Sequence, residues 1–141
     1  MDVPHEASLL RIYTSSADRH GGTSLFIAIV HAARDHGLAG ATVLRGTLGF
    51  GHTGRLHEGH LLPFSDDHPV IVEIVDATDR IEAFLPVLDS MMQSGLVTIE
   101  RARVLQYGRH KPGWLERVRQ QFFPAPPPPA APVAESQRRS C

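Results

Sequence analysis

The sequence is poor in the features that usually announce a function. Its one cysteine, Cys141, is the last residue, so no disulfide can form within the chain and nothing points to an oxidising compartment. Lys and Arg number 14 against 15 Asp and Glu, giving a net charge of −1. With an isoelectric point near 6.7, the chain has no global field to draw it onto nucleic acid or an anionic membrane, and a nucleic-acid partner is not expected. Apolar runs such as Leu25 to Val30 stop far short of the roughly 20 residues that span a bilayer. Met1-Asp2-Val3-Pro4-His5-Glu6 is acidic and lacks the apolar core of a signal peptide. The expectation is a soluble, cytoplasmic protein. There is no Gly-x-Ser-x-Gly turn, no Cys-His pair inside the fold and no His-Glu-x-x-His, which argues against an enzyme.

What is present is one domain's worth of patterned sequence, 141 residues with 42% hydrophobic. Leu9 to Thr14 is rich in β-formers and ends in the polar turn cluster Ser15-Ser16-Ala17-Asp18. Leu25, Ala28, Ile29, Ala32 and Ala33 recur at helical spacing, with Gly37 as a stop. Ala41 to Arg45 is a second strand, after which Gly46, Gly49, Gly51 and Gly54 break regular structure. Val70 to Val75 is a third strand. Asp76 and Thr78 offer cap oxygens to a second helix through Ile81, Phe84, Leu85, Leu88, Met91 and Met92, closed by Gly95 as its C′ residue. In the last strand Val97 and Ile99 alternate in one phase and Ala102 and Val104 in the other, which a bulge near Glu100-Arg101 would reconcile. The order β-α-β-β-α-β predicts an α+β, ferredoxin-like antiparallel sheet with both helices on one face.

Strand three is apolar on both faces: Val70, Val72 and Ile74 on one, Ile71 and Val75 on the other. Either a second copy of the chain covers the outer face or those two residues are scattered exposed apolar groups. The expected organisation is an extension over 1–8, the domain over 9–107, a short amphipathic basic helix over 108–123 and a proline-rich disordered tail over 124–141. The helix, with Trp114, Val118 and Phe122 beside Arg117 and Arg119, reads as a partner- or membrane-docking element or as packing on an oligomer rim. Four consecutive prolines at 126–129 read as a spacer or an SH3-type ligand.

The segment from Gly46 to Pro69 exceeds the length of ordinary connections in compact domains, which are usually functional or disordered when so long. Its glycines would let backbone amides approach an anion, with Arg45 and Arg55 to neutralise it. His52, His57 and His60, with Glu58, are competent ligands for a divalent metal, but their spacing is that of no helical or finger site, and solvated loop histidines are the plain alternative. Asp66 and Asp67 read as solvated acids. An enzyme at a subunit cleft using Arg45 and Asp67 is a further alternative.

Several strings in order, Leu10-Arg11-Ile12-Tyr13, Asp18-Arg19, Gly40 to Gly46 with Gly49-Phe50-Gly51, Pro69 to Asp76 and Gly95-Leu96-Val97-Thr98, resemble the PII-like family catalogued as domain of unknown function 190. The resemblance covers Leu9 to Tyr107. It implies a homotrimer whose long loop between the second and third strands, including Arg55, His57 and His60, contacts a partner. It further implies a small anionic ligand, an adenine nucleotide being the class bound by PII relatives, in clefts between subunits. Carried over by position, ligand contacts would come from Arg45, Gly46, Gly49, Phe50 and Gly51, from Gln93, Ser94 and Gly95, and from Arg101 and Arg103. Two departures stand out. Gln93-Ser94-Gly95-Leu96 lacks the length and the lysine with which nitrogen-regulatory PII proteins grip phosphates, which argues against ATP binding in their manner. The loop also lacks the tyrosine that those proteins can have uridylylated. Members of the family are often encoded beside fluoride-channel genes, which implies a membrane transport protein as partner.

Overall fold

The structure is a computed structural model that describes residues 3–58, 67–109 and 113–123. It divides into two compact units, Met1–Gly108 and Arg109–Cys141. In chain order the elements are β1 (Glu6–Ser15), β2 (Arg19–His20), β3 (Thr23–Ser24), α1 (Leu25–Asp35), β4 (Thr42–Arg45), β5 (Leu48–Phe50), β6 (Leu56–Glu58), β7 (Pro69–Asp76), α2 (Thr78–Met91), β8 (Leu96–Arg103) and α3 (Trp114–Phe122).

The main sheet runs β4-β7-β1-β8 with every neighbouring pair antiparallel, the ferredoxin-like order. Side chains alternate across it. Leu10 and Ile12 of β1 and Val72 and Ile74 of β7 are fully buried against Leu25, Ile29 and Ala33 of α1 and Ile81, Phe84 and Leu88 of α2. Both helices therefore lie on one face, as their amphipathic spacing predicts. α1 stops where Gly37 takes φ +71. The Gly37 amide then bonds the Arg34 carbonyl and the Leu38 amide the Ala33 carbonyl, a Schellman closure that also buries Leu38.

Four details depart from the sequence reading. β1 begins at Glu6, inside the stretch read as an extension, because Glu6 and Ala7 pair with Arg103 and Ala102. β8 has no bulge: its register against β1 is one-to-one from Tyr13↔Leu96 to Glu6↔Arg103. Its two apolar phases lie on opposite faces, Val97 and Ile99 towards the helices, Ala102 on the other side opposite the buried Ala7. The cap of α2 is Ala77, without a side-chain bond to the helix, because the Thr78 hydroxyl is engaged by Ser8 Oγ at 2.8 Å. Finally, α2 ends at Met91, so Gly95 is not its C′ residue. Gly95 has φ +123 for another reason: a Cβ there would sit 2.6 Å from the Tyr13 carbonyl oxygen, a distance no side chain tolerates.

The outer face of the sheet carries Leu9, Arg11 and Tyr13 of β1, Ile71, Glu73 and Val75 of β7, and Leu44 and Leu96 on the flanking strands. Leu44 is 43% and Leu96 56% exposed, so this face is apolar and open at both edges. No helix among the described residues is long and apolar enough to cross a membrane. The proline-rich stretch from 124 onwards lies outside the described residues.

Candidate functional site

The base of the long loop is built by close backbone approach. Arg45, the last residue of β4, pairs with Val70, and the next amide, Gly46 N–H, donates to the Pro69 carbonyl at 2.7 Å. A Cβ on Gly46 would meet Pro69 Cβ at 2.8 Å, and one on Gly49 would meet Pro69 Cγ at 3.0 Å. These two glycines are therefore where they are because the proline ring fills the space a side chain would take, and the Gly46 amide is already engaged. Beyond them the loop does not dissolve into irregular structure as its glycines suggest. It forms a two-stranded ribbon, Leu48↔Glu58, Gly49↔His57 and Phe50↔Leu56, turning at 51–55 with the Gly54 amide bonded to the Gly51 carbonyl at 2.9 Å. Leu48, Phe50 and Leu56 share one face of the ribbon and are 62%, 73% and 58% exposed. His52 and Arg55 lie exposed in its turn. His60, with 59–66, lies outside the described residues, and so does the proposed metal triad as a set; the described residues contain no cluster of three metal-ligating side chains.

The returning leg of the loop is tied to the end of β1. The Ser16 amide donates to the His68 carbonyl at 3.0 Å, the His68 amide to Ser16 Oγ at 3.0 Å, and Ser16 Oγ lies 3.2 Å from His68 Nδ1. Ser15 Oγ donates to the Asp67 carboxylate and accepts from the Ala17 amide. Asp18 accepts from the Thr14 hydroxyl and the Ser15 amide. The turn cluster and the acid that the sequence presents as solvated thus form one polar latch. Its partners are about fifty residues apart in the chain, which no local spacing reveals.

At the opposite end of β4 lies a cavity of about 400 Å³ lined by Val3, Gly40, Ala41, Thr42, Glu73, Val75, Val104, Gln106 and Tyr107. Its wall is fixed from two sides. The Tyr107 hydroxyl donates to the Ala39 carbonyl at 2.7 Å, and the Ala39 amide donates to Asp76 Oδ2 at 2.8 Å. Asp76 is fully buried and also accepts from the Ala77 amide. Beside the cavity Arg11 bridges two acids across the outer face, Glu73 at 2.8 Å and Glu100 at 2.6 Å. The Glu73 hydrogen bond, followed by the nearby charge of Glu100, raises the guanidinium above its ordinary pKa against the opposing effect of desolvation, so it stays charged. Sequence reasoning missed this cavity because Gly40-Ala41-Thr42 reads only as a lead into a strand.

The residues expected to share a ligand divide between the two ends of the sheet. Arg45, Gly46, Gly49 and, across the sheet, Gln93, Ser94 and Gly95 lie at the end where β1 finishes. Phe50 and Gly51 are further out on the ribbon. Arg101 and Arg103 are at the far end, opposite Ser8 and Glu6, with Arg103 3.6 Å from Glu6. At about 3.3 Å per residue, Arg101 is roughly 17 Å along β8 from Leu96. One copy of the chain does not bring these groups together.

Comparison with known proteins gives a consistent picture. The model of the DUF190 family, described as an uncharacterised ACR, matches residues 7–104. A UPF0166 protein of Aquifex aeolicus is 34% identical over 97 residues, covering 69% of this chain and 91% of the relative. One from Methanocaldococcus jannaschii is 32% identical over 100 residues, covering 70% and 92%. Among solved structures, a putative PII-like signalling protein from Thermus thermophilus superposes with a TM-score of 0.55 at 17% identity, covering 74% of this chain and 93% of that one. A nitrogen regulatory PII-like protein from Thiomonas intermedia K12, solved with ADP, AMP and bicarbonate, gives 0.50 at 21% identity, covering 70% and 88%.

Proposed function

Because the chain belongs to the DUF190 family and has the fold of PII-like proteins, we propose that it is a PII-like regulatory protein that binds an adenine nucleotide or similar small anion and transmits its presence to a target through the β5–β6 ribbon. It acts by binding, without turnover. The observation that carries this reading is β4 itself. This four-residue strand begins at the cavity wall, Gly40 to Thr42, and ends at Arg45 and the Pro69-locked loop base, roughly 10 Å on. A ligand with a flat apolar part in the cavity and an anionic part near Arg45 would contact both, and a shift of so short an edge strand would be felt at the ribbon.

The second part of the proposal is a homotrimer formed on the outer sheet faces. Leu44, Ile71, Tyr13 and Leu96 form a row across that face, and the buried Thr98 hydroxyl in the next row has no hydrogen-bond partner among the described residues. Apposed copies would cover the row, and the β4 edge of one copy could meet the Arg101–Arg103 end of another. The target that the family resemblance implies is a membrane transport protein.

Isothermal titration against ADP, AMP, ATP, cyclic adenine nucleotides and bicarbonate tests the ligand. The expected result is saturable binding of at least one adenine nucleotide, weakened at least tenfold by Arg45→Ala and by Gly40→Val. Silence across the panel refutes it. Light scattering at three times the chain mass is expected for the trimer, and a monomer mass removes it.

A further inference from the structure

The second unit carries a feature that the ligand reading leaves unused. α3 is an amphipathic helix of nine residues, with Trp114 and Val118 half-buried. At 3.6 residues per turn, Trp114, Val118, Phe122 and Leu115 fall within an arc of about 100°. Arg119 borders that arc beside Leu115, while on the other side Gln121 comes next to Trp114 and Arg117 follows about 60° from Trp114; Glu116 and Gln120 occupy the far side. Leu115 is 65% exposed and Phe123, at the C-cap, 78%. Three of the chain's nine Phe, Trp and Tyr residues fall within these ten positions.

We propose that α3 is an interfacial helix that docks on an anionic lipid surface, with its Trp114–Phe122 face in the headgroup boundary and Arg117 and Arg119 among the phosphates. The chemistry favours a bilayer over a protein groove. A helix this short has too little apolar area to hold itself in lipid without help from charge, and here a guanidinium flanks the apolar face on each side, Arg119 next to Leu115 and Arg117 beyond Gln121. A flat layer that is apolar inside and anionic at its surface satisfies the face and both flanking charges together. A groove deep enough to take the aromatic face would enclose two charges that only a matched pair of acids could neutralise. Aromatic rings concentrated beside arginines are also the composition of the membrane boundary. The proposal stands independently of the ligand reading.

Trp114 is the only tryptophan, so its fluorescence reports on α3 alone. The full chain is titrated with vesicles of phosphatidylcholine mixed with phosphatidylserine and, separately, of pure phosphatidylcholine. The expected result is a blue shift and co-sedimentation with the anionic vesicles only, weakening as salt is raised. The double variant Arg117→Gln, Arg119→Gln should bind about thirtyfold more weakly, the loss of two basic side chains at an anionic surface. The variant Arg117→Lys, Arg119→Lys, equally able to form the helix, should bind as the parent chain does. No shift with anionic vesicles, equal binding to both vesicle types, or full binding by the glutamine variant overturns the proposal, as does loss of binding in the lysine variant.

Discussion

Replacing Asp76 by alanine should remove about 3 kcal/mol of stability and loosen one wall of the cavity in a way that can be read residue by residue. The carboxylate is fully buried and accepts two backbone amides, Ala39 at 2.8 Å and Ala77 at 2.7 Å, with the Arg80 guanidinium 3.8 Å away. Hydrogen bonds to a charged group are each worth about 1.5–3 kcal/mol, and losing the acceptor leaves both amides without it. Against this stands the desolvation of the carboxylate, which the alanine variant no longer bears; the balance is about 3 kcal/mol. At a slope near 2 kcal/mol per M, that lowers the urea midpoint by about 1.5 M, measured at fixed protein concentration because the proposed assembly would contribute to apparent stability. Asp76→Asn keeps one acceptor oxygen and points an NH₂ group at the other amide, so it should lose at least half as much. Hydrogen exchange adds the local readout. The Ala39 and Ala77 amides should lose protection while the amides of the β1–β7 ladder keep theirs. A midpoint within about 0.5 M of the parent, or an Ala39 amide that stays protected, refutes the assignment of Asp76 as the anchor of that wall.

Two further substitutions probe the frame around the site. Gly95→Ala should cost about 3 kcal/mol in urea unfolding, because a forbidden φ adds about 1–3 kcal/mol of strain and the new methyl meets the Tyr13 carbonyl. Gly54→Ala, at φ +70 with open space around it, should cost only about 1 kcal/mol, and equal losses would discredit the close-approach argument. Ile71→Arg places a charge in the middle of the outer apolar row. It should reduce the light-scattering mass to that of one chain while leaving the far-ultraviolet circular dichroism unchanged, and an unaltered mass would show that this face is not the interface.

Much of the architecture is legible in the sequence because its elements carry strong periodicity. The run from Val70 to Val75 and the Ile81, Phe84, Leu88 stripe place β7 and α2 to within two or three residues of their observed bounds. What escapes is whatever depends on two distant segments meeting. Ser15 and Asp67 are ordinary polar residues until the register of β1 against β7 brings them together. Gly46 and Gly49 invite an anion reading because glycine spacing does not disclose the proline ring that displaces their side chains. The phase change in β8 suggests a backbone defect, whereas the ladder is regular and the two apolar pairs lie on opposite faces of the sheet. The cavity belongs to the same class, since Thr42, Glu73 and Tyr107 converge only once the sheet is assembled.

The Gly46–Pro69 bond also has a consequence for how this protein can change over generations. It closes the β4–β7 pair before the ribbon starts, so the pairing of those two strands does not depend on the ribbon's turn at 51–55. Doubling the length of a connection that is already clamped at its root costs only about 0.6 kcal/mol of closure entropy. The outer part of the ribbon is thus a replaceable cassette on a fixed socket: its sequence and length can drift while Gly46, Gly49 and Pro69 at its root hold the scaffold constant.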